Sequence, residues 1–154
     1  MKKIISITIW VSVCLVLGYL SSLFQSSAMT EWYPTLHRSS LTPPDWLFPV
    51  AWTIIYILMG ISVGLLHDIR NIYTRFLYIL FVIQLILNIL WSLFFFYMRS
   101  PIFGFIDIIL LDMFCVIYFA ATYFVYRPSA WLFLPYILWL AFATYLNGYI
   151  MIHN

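Results

Sequence analysis

Residues 41–60 read LTPPDWLFPVAWTIIYILMG: a proline step, an acid, then a long apolar run. Proline fixes φ and restricts the residue before it, so Pro43-Pro44 make a stiff extended step. Asp45 is placed to cap a helix start. Trp46 suits the interfacial depth of a bilayer, and Pro49 falls in the first turn, where its missing N–H costs little. From Trp46 to Leu66 no charged residue occurs, and about 20 such residues cross a hydrocarbon core. The stretch reads as the head of a membrane-spanning helix. Trp52 and Tyr56, four residues apart on one face, are left unexplained by spanning alone.

The rest of the chain agrees. Of 154 residues, 66% are hydrophobic and 8% charged, against about 25% charged in a soluble domain, so the chain cannot cover a water-facing surface. Ile4–Phe24, Phe76–Met98 and Ala130–Ile152 are also uncharged, and Ile102–Val125 carries only Asp107 and Asp112. None alternates with period two, which argues against a β-barrel. The expected fold is all-α and integral to the membrane. It is a single domain over 1–154, a bundle of five transmembrane helices (about 4–24, 46–66, 76–98, 102–125 and 130–152). Lys2, Lys3, an apolar run and Ser26-Ser27-Ala28 also fit a cleaved signal peptide. That reading needs an apolar core of ~7–15 residues, and the longer run favours an uncleaved helix.

Five alternating helices put Lys2, Lys3, Arg70, Arg75 and Arg127 on one side and Arg38 and Arg99 on the other. The excess orients the N-terminus to the cytoplasm and the C-terminus outside, as expected in a bacterial cell membrane. The net charge of +2 follows from this topology and implies no nucleic-acid partner. Cys14 and Cys115 both fall within helices, so no disulfide is expected. His37, His67 and His153 lie outside the spans, without metal-ligand spacing, and no metal is expected. Nucleophile-elbow, P-loop and dinucleotide motifs are absent.

The connection QSSAMTEWYPTLHRSSLTPPD, residues 25–45, is long for a compact protein. Trp32, Tyr33, Leu36 and Leu41 are a poor composition for disorder, so the loop is read as an ordered lid between helices 1 and 2. At ~1.5 Å per residue, Trp52 and Trp91 lie roughly 10 Å beneath it, Asn147 about 8 Å and Asn88 about 15 Å. The opposite half is nearly all aliphatic, an asymmetry that points to a ligand cavity under the lid. Gln84, Asn88, Trp91 and Phe95 form one helical stripe, and Trp139, Ala143 and Asn147 a second. Interhelical packing and ligand contact explain either stripe equally well. Asp107 and Asp112 are costly inside a membrane. With no intramembrane Lys or Arg they are expected to be protonated or hydrogen-bonded, and they point too far apart for a catalytic dyad. No GxxxG-type pair is assigned as a dimer seam.

Taken in order, WYPTL (32–36), PPDW (43–46), Trp52, Tyr56, Met59 and Gly60, QLILNILW (84–91) with FFF after it, Asp107 and PYILWLAFATYLN (135–147) span almost the entire chain. In these motifs the chain resembles the tryptophan-rich sensory protein, or translocator protein (peripheral benzodiazepine receptor), family. The resemblance implies a bundle, often homodimeric, that binds porphyrins such as protoporphyrin IX and drug-like isoquinoline carboxamides and benzodiazepines. The implied pocket residues are Tyr33, Pro43, Trp52, Asn88, Trp91, Trp139, Ala143 and Leu146. Some bacterial relatives are associated with light-dependent porphyrin breakdown, which would assign catalytic roles to Trp52 and Trp139. Porphyrin is then ligand or substrate, no further cofactor is required, and its propionates reach the lid near Arg38 and His37. The competing readings are a transporter or scavenger without chemistry, and a membrane sensor or scaffold. Two departures stand out. Pro49-Val50-Ala51-Trp52 replaces the family's Gly-Pro-Val-Trp, moving the proline one step earlier. Tyr149 is followed by Ile-Met-Ile-His-Asn without Lys or Arg, so the animal relatives' cholesterol binding is not expected here.

Overall fold

The computed structural model describes residues 1–69 and 71–154. Arg70, counted above among the basic residues of one side, lies outside the described residues. The chain forms α1 (Lys2–Leu23), a short α2 (Ser26–Glu31), α3 (Leu47–Gly64), α4 (Thr74–Ser92), α5 (Pro101–Val125) and α6 (Arg127–His153). A 3-10 turn over Leu65–Asp68 extends α3, and a π turn over Leu93–Tyr97 extends α4. Apart from α2, these make five helices long and apolar enough to cross a membrane. Helix is the outcome because a bilayer core offers no water to backbone N–H and C=O groups, which a helix satisfies within itself.

The head of α3 differs from expectation. Asp45 does not cap it. Trp46 is the N-cap and is already helical, at φ −66° and ψ −22°, which leaves Asp45 one position too early. The Leu47 N–H donates instead to the Pro44 carbonyl at 2.9 Å, and Asp45 turns toward Arg38. By contrast α5 starts conventionally: Pro101 opens it, and the Ser100 hydroxyl accepts from the Phe103 N–H at 3.4 Å.

In lateral order α1 packs on α3, α3 on α6, α6 on α5, and α5 on α4. The ring closes where Trp10 of α1 stacks on Tyr78 of α4, with centroids 5.9 Å apart, and meets Phe81 edge-on at 5.5 Å. The α1–α3 seam rests on Gly60 and Gly64, a four-residue small–small spacing. A Cβ on Gly60 would lie 2.5 Å from Val11 Cα, and one on Gly64 2.6 Å from Ile7 Cα. The pair therefore serves close approach within one chain. Away from the lid the interior closes around Met59, Leu77, Phe81, Tyr118 and Phe133, all fully buried.

Lys3 Nζ stands 5.6 Å over the Tyr126 ring, which puts the N-terminus and the α5–α6 turn at one end of the bundle. The lid covers the other. It is more regular than a loop: α2 is followed by a 3-10 turn at Tyr33–Thr35. Several ties hold it down. The chain reverses after the π turn with Arg99 at φ 49°, and the Arg99 guanidinium meets Glu31 of α2 at 2.7 Å. The His37 N–H donates to Asn154 Oδ1 at 2.9 Å, and the Ser39 and Tyr145 hydroxyls pair at 3.0 Å.

Candidate functional site

Under the lid α3 and α4 face each other without packing closely, and the space between them holds two adjoining chambers. The smaller, about 50 Å³, is lined by Tyr33, Phe95, Phe96, Ala143, Leu146 and Asn147. The larger, about 290 Å³, runs toward α1 between Ser22, Asp45, Pro49, Tyr56, Asn88 and Ser92. Gln25, Met29, Phe48, Trp52 and Trp91 border both.

The partition is an aromatic ladder. Trp91 stacks on Phe95 at 5.4 Å with planes 13° apart, Trp52 follows Trp91 at 6.5 Å, and Tyr56 follows Trp52 at 5.7 Å. The π turn matters here. Adjacent residues of an α-helix point about 100° apart, but the wider turn lets Phe95 and Phe96 both face inward, 2% and 7% exposed. Insertions of this kind often mark functional positions.

Beneath the ladder three helices are bracketed by hydrogen bonds. The Tyr56 hydroxyl of α3 donates to Asn88 Oδ1 at 2.5 Å, and Asn88 Nδ2 of α4 donates to the Tyr136 hydroxyl of α6 at 2.8 Å. The Trp52 ring rests on both tyrosine rings, 5.7 Å from Tyr56 and 6.1 Å from Tyr136. Gly18 of α1 leaves the room that the Tyr56 ring occupies. Trp91 is held in turn: its indole N–H donates to Asn147 Oδ1 at 3.0 Å, and Asn147 Nδ2 donates to the Pro101 carbonyl at 2.9 Å. Asn88 and Asn147 thus join helices and line the chambers at once. Gln84, deeper on the same stripe, lines neither chamber; it accepts a long contact from the Cys115 thiol at 3.8 Å.

The roof is Tyr33, buried between Phe95 and Phe96 and covered from outside by the Arg38 guanidinium, 5.0 Å from its centroid. Burial pushes the Tyr33 phenol above its ordinary value, and the nearby arginine partly offsets this.

Six of the eight site residues expected from sequence line the chambers: Tyr33, Trp52, Asn88, Trp91, Ala143 and Leu146. Pro43 and Trp139 do not. Pro43 belongs to an outer bowl of about 610 Å³ on the water side of the lid. Trp139 stands in a second rank, edge-on to Phe48 at 6.0 Å, with its buried indole N–H unpartnered among the described residues. Phe48, Met29, Gln25 and Phe96 were not picked out from sequence. Phe48 carried a signal, since it precedes Trp52 by four residues on the same face; Met29 and Gln25 carried none, because they arrive with the lid. The two acids remain apart. Asp112 accepts from the Thr144 hydroxyl at 2.6 Å, while Asp107, 4% exposed, has an oxygen without a partner among the described residues. No cluster of three metal-ligating side chains occurs among the described residues.

Fold and site together define an integral membrane five-helix bundle with a lidded aromatic cavity at one end. Residues 10–153 match the TspO/MBR family, and the chain belongs to that family. It is similar to the tryptophan-rich protein TspO of Chlorobaculum tepidum, 39% identical with 95% of this chain and 94% of that one covered. The tryptophan-rich protein TspO of Archaeoglobus fulgidus is 36% identical over 91% of each chain. The human translocator protein is 30% identical over 84% of this chain and 78% of its own.

Proposed function

We propose that the protein binds porphyrins, protoporphyrin IX among them, in the cavity under the lid and promotes their light-dependent degradation. One observation carries the reading: an uncharged aromatic ladder, Phe95–Trp91–Trp52–Tyr56, borders both chambers in the lid half of a membrane bundle. A flat conjugated ring gains from offset stacking on such faces, and the Asn88 and Asn147 amides supply polar contacts of the kind that orient ligands in apolar pockets. Excited by light, the porphyrin takes an electron from the Trp52 indole, leaving an indole radical cation and a porphyrin radical anion. The reduced ring passes its electron to dissolved oxygen, the oxidant for ring opening, and the indole radical regains an electron from the ring as the macrocycle is oxidised. Trp52 is the reacting indole in this account. Trp139 is a wall behind Phe48 and not a reactant. The larger chamber, about 290 Å³, stands at the lower limit for drug-sized ligands, about 300–1,000 Å³, so a macrocycle bulkier than those ligands enters by displacing the lid.

The same reading covers isoquinoline carboxamides as smaller occupants. It places the chain in a bacterial cell membrane as a homodimer. The N-terminus faces the cytoplasm, on the strength of Lys2, Lys3, Arg75 and Arg127 at the end away from the lid.

The test is an absorbance time course of protoporphyrin IX with the detergent-purified protein, first dark and then illuminated. Dark binding followed by bleaching faster than in empty micelles, with a protein-dependent product band, is expected; Trp52→Phe keeps the binding and loses the product. Binding with bleaching no faster than in micelles refutes the chemistry and leaves a carrier or scavenger. No binding refutes the reading altogether.

A further inference from the structure

We propose that Arg38 and Asp45 form a carboxylate-exchange site at the mouth of the cavity. In the closed protein Asp45 occupies the Arg38 guanidinium. A carboxylate on an apolar ligand seated against the ladder takes its place and frees the head of α3 from the lid. The proposal rests on the cavity being the ligand site, as put forward above, and adds the group that selects acidic ligands.

Position is the first argument. Asp45 borders both the outer bowl and the larger chamber, so it stands at the neck between water and the aromatic interior. Among the described residues it is also the one charged side chain bordering either chamber. A ligand carboxylate at this neck either meets the Asp45 charge and is repelled, or replaces it.

The second argument is how differently the two partners are held. Arg38 is anchored without Asp45: its guanidinium lies on the Tyr33 ring, and Tyr33 is itself roof to the smaller chamber. Asp45 is held by little else. Its side chain is 64% exposed, and it does not cap α3. The pair is 3.5 Å apart, well beyond the ~2.7–2.9 Å of a charge-assisted hydrogen bond. The lid's other ion pair, Arg99–Glu31, closes to 2.7 Å, yet neither partner borders a chamber. The loose pair is the one at the neck. Arginine offers a fixed fork that takes a carboxylate through two bonds, so a better-placed acid outcompetes a distant one. His37 is not part of the site, since its backbone is tied to Asn154 and it borders neither the bowl nor the chambers.

Protoporphyrin IX and its dimethyl ester share one ring system and differ in the two carboxylates, so dark binding of each to the full-length protein in detergent isolates the exchange. Arg38→Gln should weaken the diacid about tenfold and leave the diester within about twofold. Arg38→Lys should recover part of the loss, and Asp45→Asn should tighten the diacid severalfold by removing its competitor. Unchanged melting midpoints certify the variants as folded, and the exposed Asp45→Asn change is informative even where Arg38 variants are not. Equal effects of Arg38→Gln on diacid and diester, or no effect of Asp45→Asn on the diacid, overturn the exchange while leaving porphyrin binding intact. Failure of the unaltered protein to bind either porphyrin overturns both proposals.

Discussion

Asn88→Leu tests the bracket under Trp52 most sharply. The substitution keeps the side chain's approximate shape and strips the only hydrogen bonds that the Tyr56 and Tyr136 hydroxyls make with Asn88, at 2.5 and 2.8 Å. Hydrogen bonds between membrane helices average about 0.6 kcal/mol and reach about 1.7. Two short, fully buried ones should sit in the upper part of that range, so the expected loss is about 2 kcal/mol. Tyr56→Phe with Tyr136→Phe, which removes the same bonds from the other side, should cost a similar amount. The triple variant decides the matter. With every partner replaced by an apolar group no orphaned hydroxyl or amide remains, and such replacements can be nearly neutral. Its loss should therefore not exceed about 2 kcal/mol, against roughly 4 if the effects simply add. Equilibrium unfolding in mixed micelles with rising dodecyl sulfate, followed by helical circular dichroism, measures all four proteins. A triple loss equal to the sum would refute the bracket and make the three residues independent packing elements.

Other expectations follow from the same geometry. Gly60→Ala drives a Cβ to 2.5 Å from Val11 Cα, and because backbone cannot step aside as a side chain can, it should cost about 1–3 kcal/mol in the same unfolding assay, with Gly64→Ala similar. Trp139→Phe should leave light-driven porphyrin loss within about twofold while Trp52→Phe abolishes the product band; the reverse order would return Trp139 to the reacting site. The Tyr33 phenol should stay neutral through its ordinary pKa of 10.0, seen as the ultraviolet titration lost on Tyr33→Phe. Its folded value is raised, so its contribution to stability is complete below pH 10 and is lost as pH climbs through the higher folded value; a titration midpoint at or below 10 would contradict the burial.

The line between what was legible in the sequence and what was not runs through particular residues. Trp52, Asn88, Trp91 and Asn147 could be assigned to one end of the bundle because depth along a helix is counted from its ends. Trp139 has a suitable depth but the wrong neighbours, and counting cannot reveal that Phe48 stands in front of it. Asp45 looked like a cap because the start of α3 could be located only to within a residue or so. Phe95 and Phe96 face inward together only because of a π turn, which apolar periodicity does not announce. Gly60 and Gly64 were visible as letters, but their partner was not: the spacing states that something approaches closely without saying that it is α1.

The sequence by itself determined a membrane protein of five spanning helices, an ordered lid, and polar and aromatic residues gathered beneath it. Those conclusions need only composition, length and depth, since a bilayer leaves the backbone little choice but helix. Only the tertiary structure decided the lateral order of the helices and the rotation of each about its axis. Those two quantities divide the cavity at Trp52 and Trp91, leave Trp139 outside it, and bring Asp45 to Arg38. In water a polar face would have encoded the rotation. In lipid the outward face is as apolar as the inward one, so the pattern that turns a soluble helix toward its core is missing, and side-chain fit among the assembled helices settles it instead.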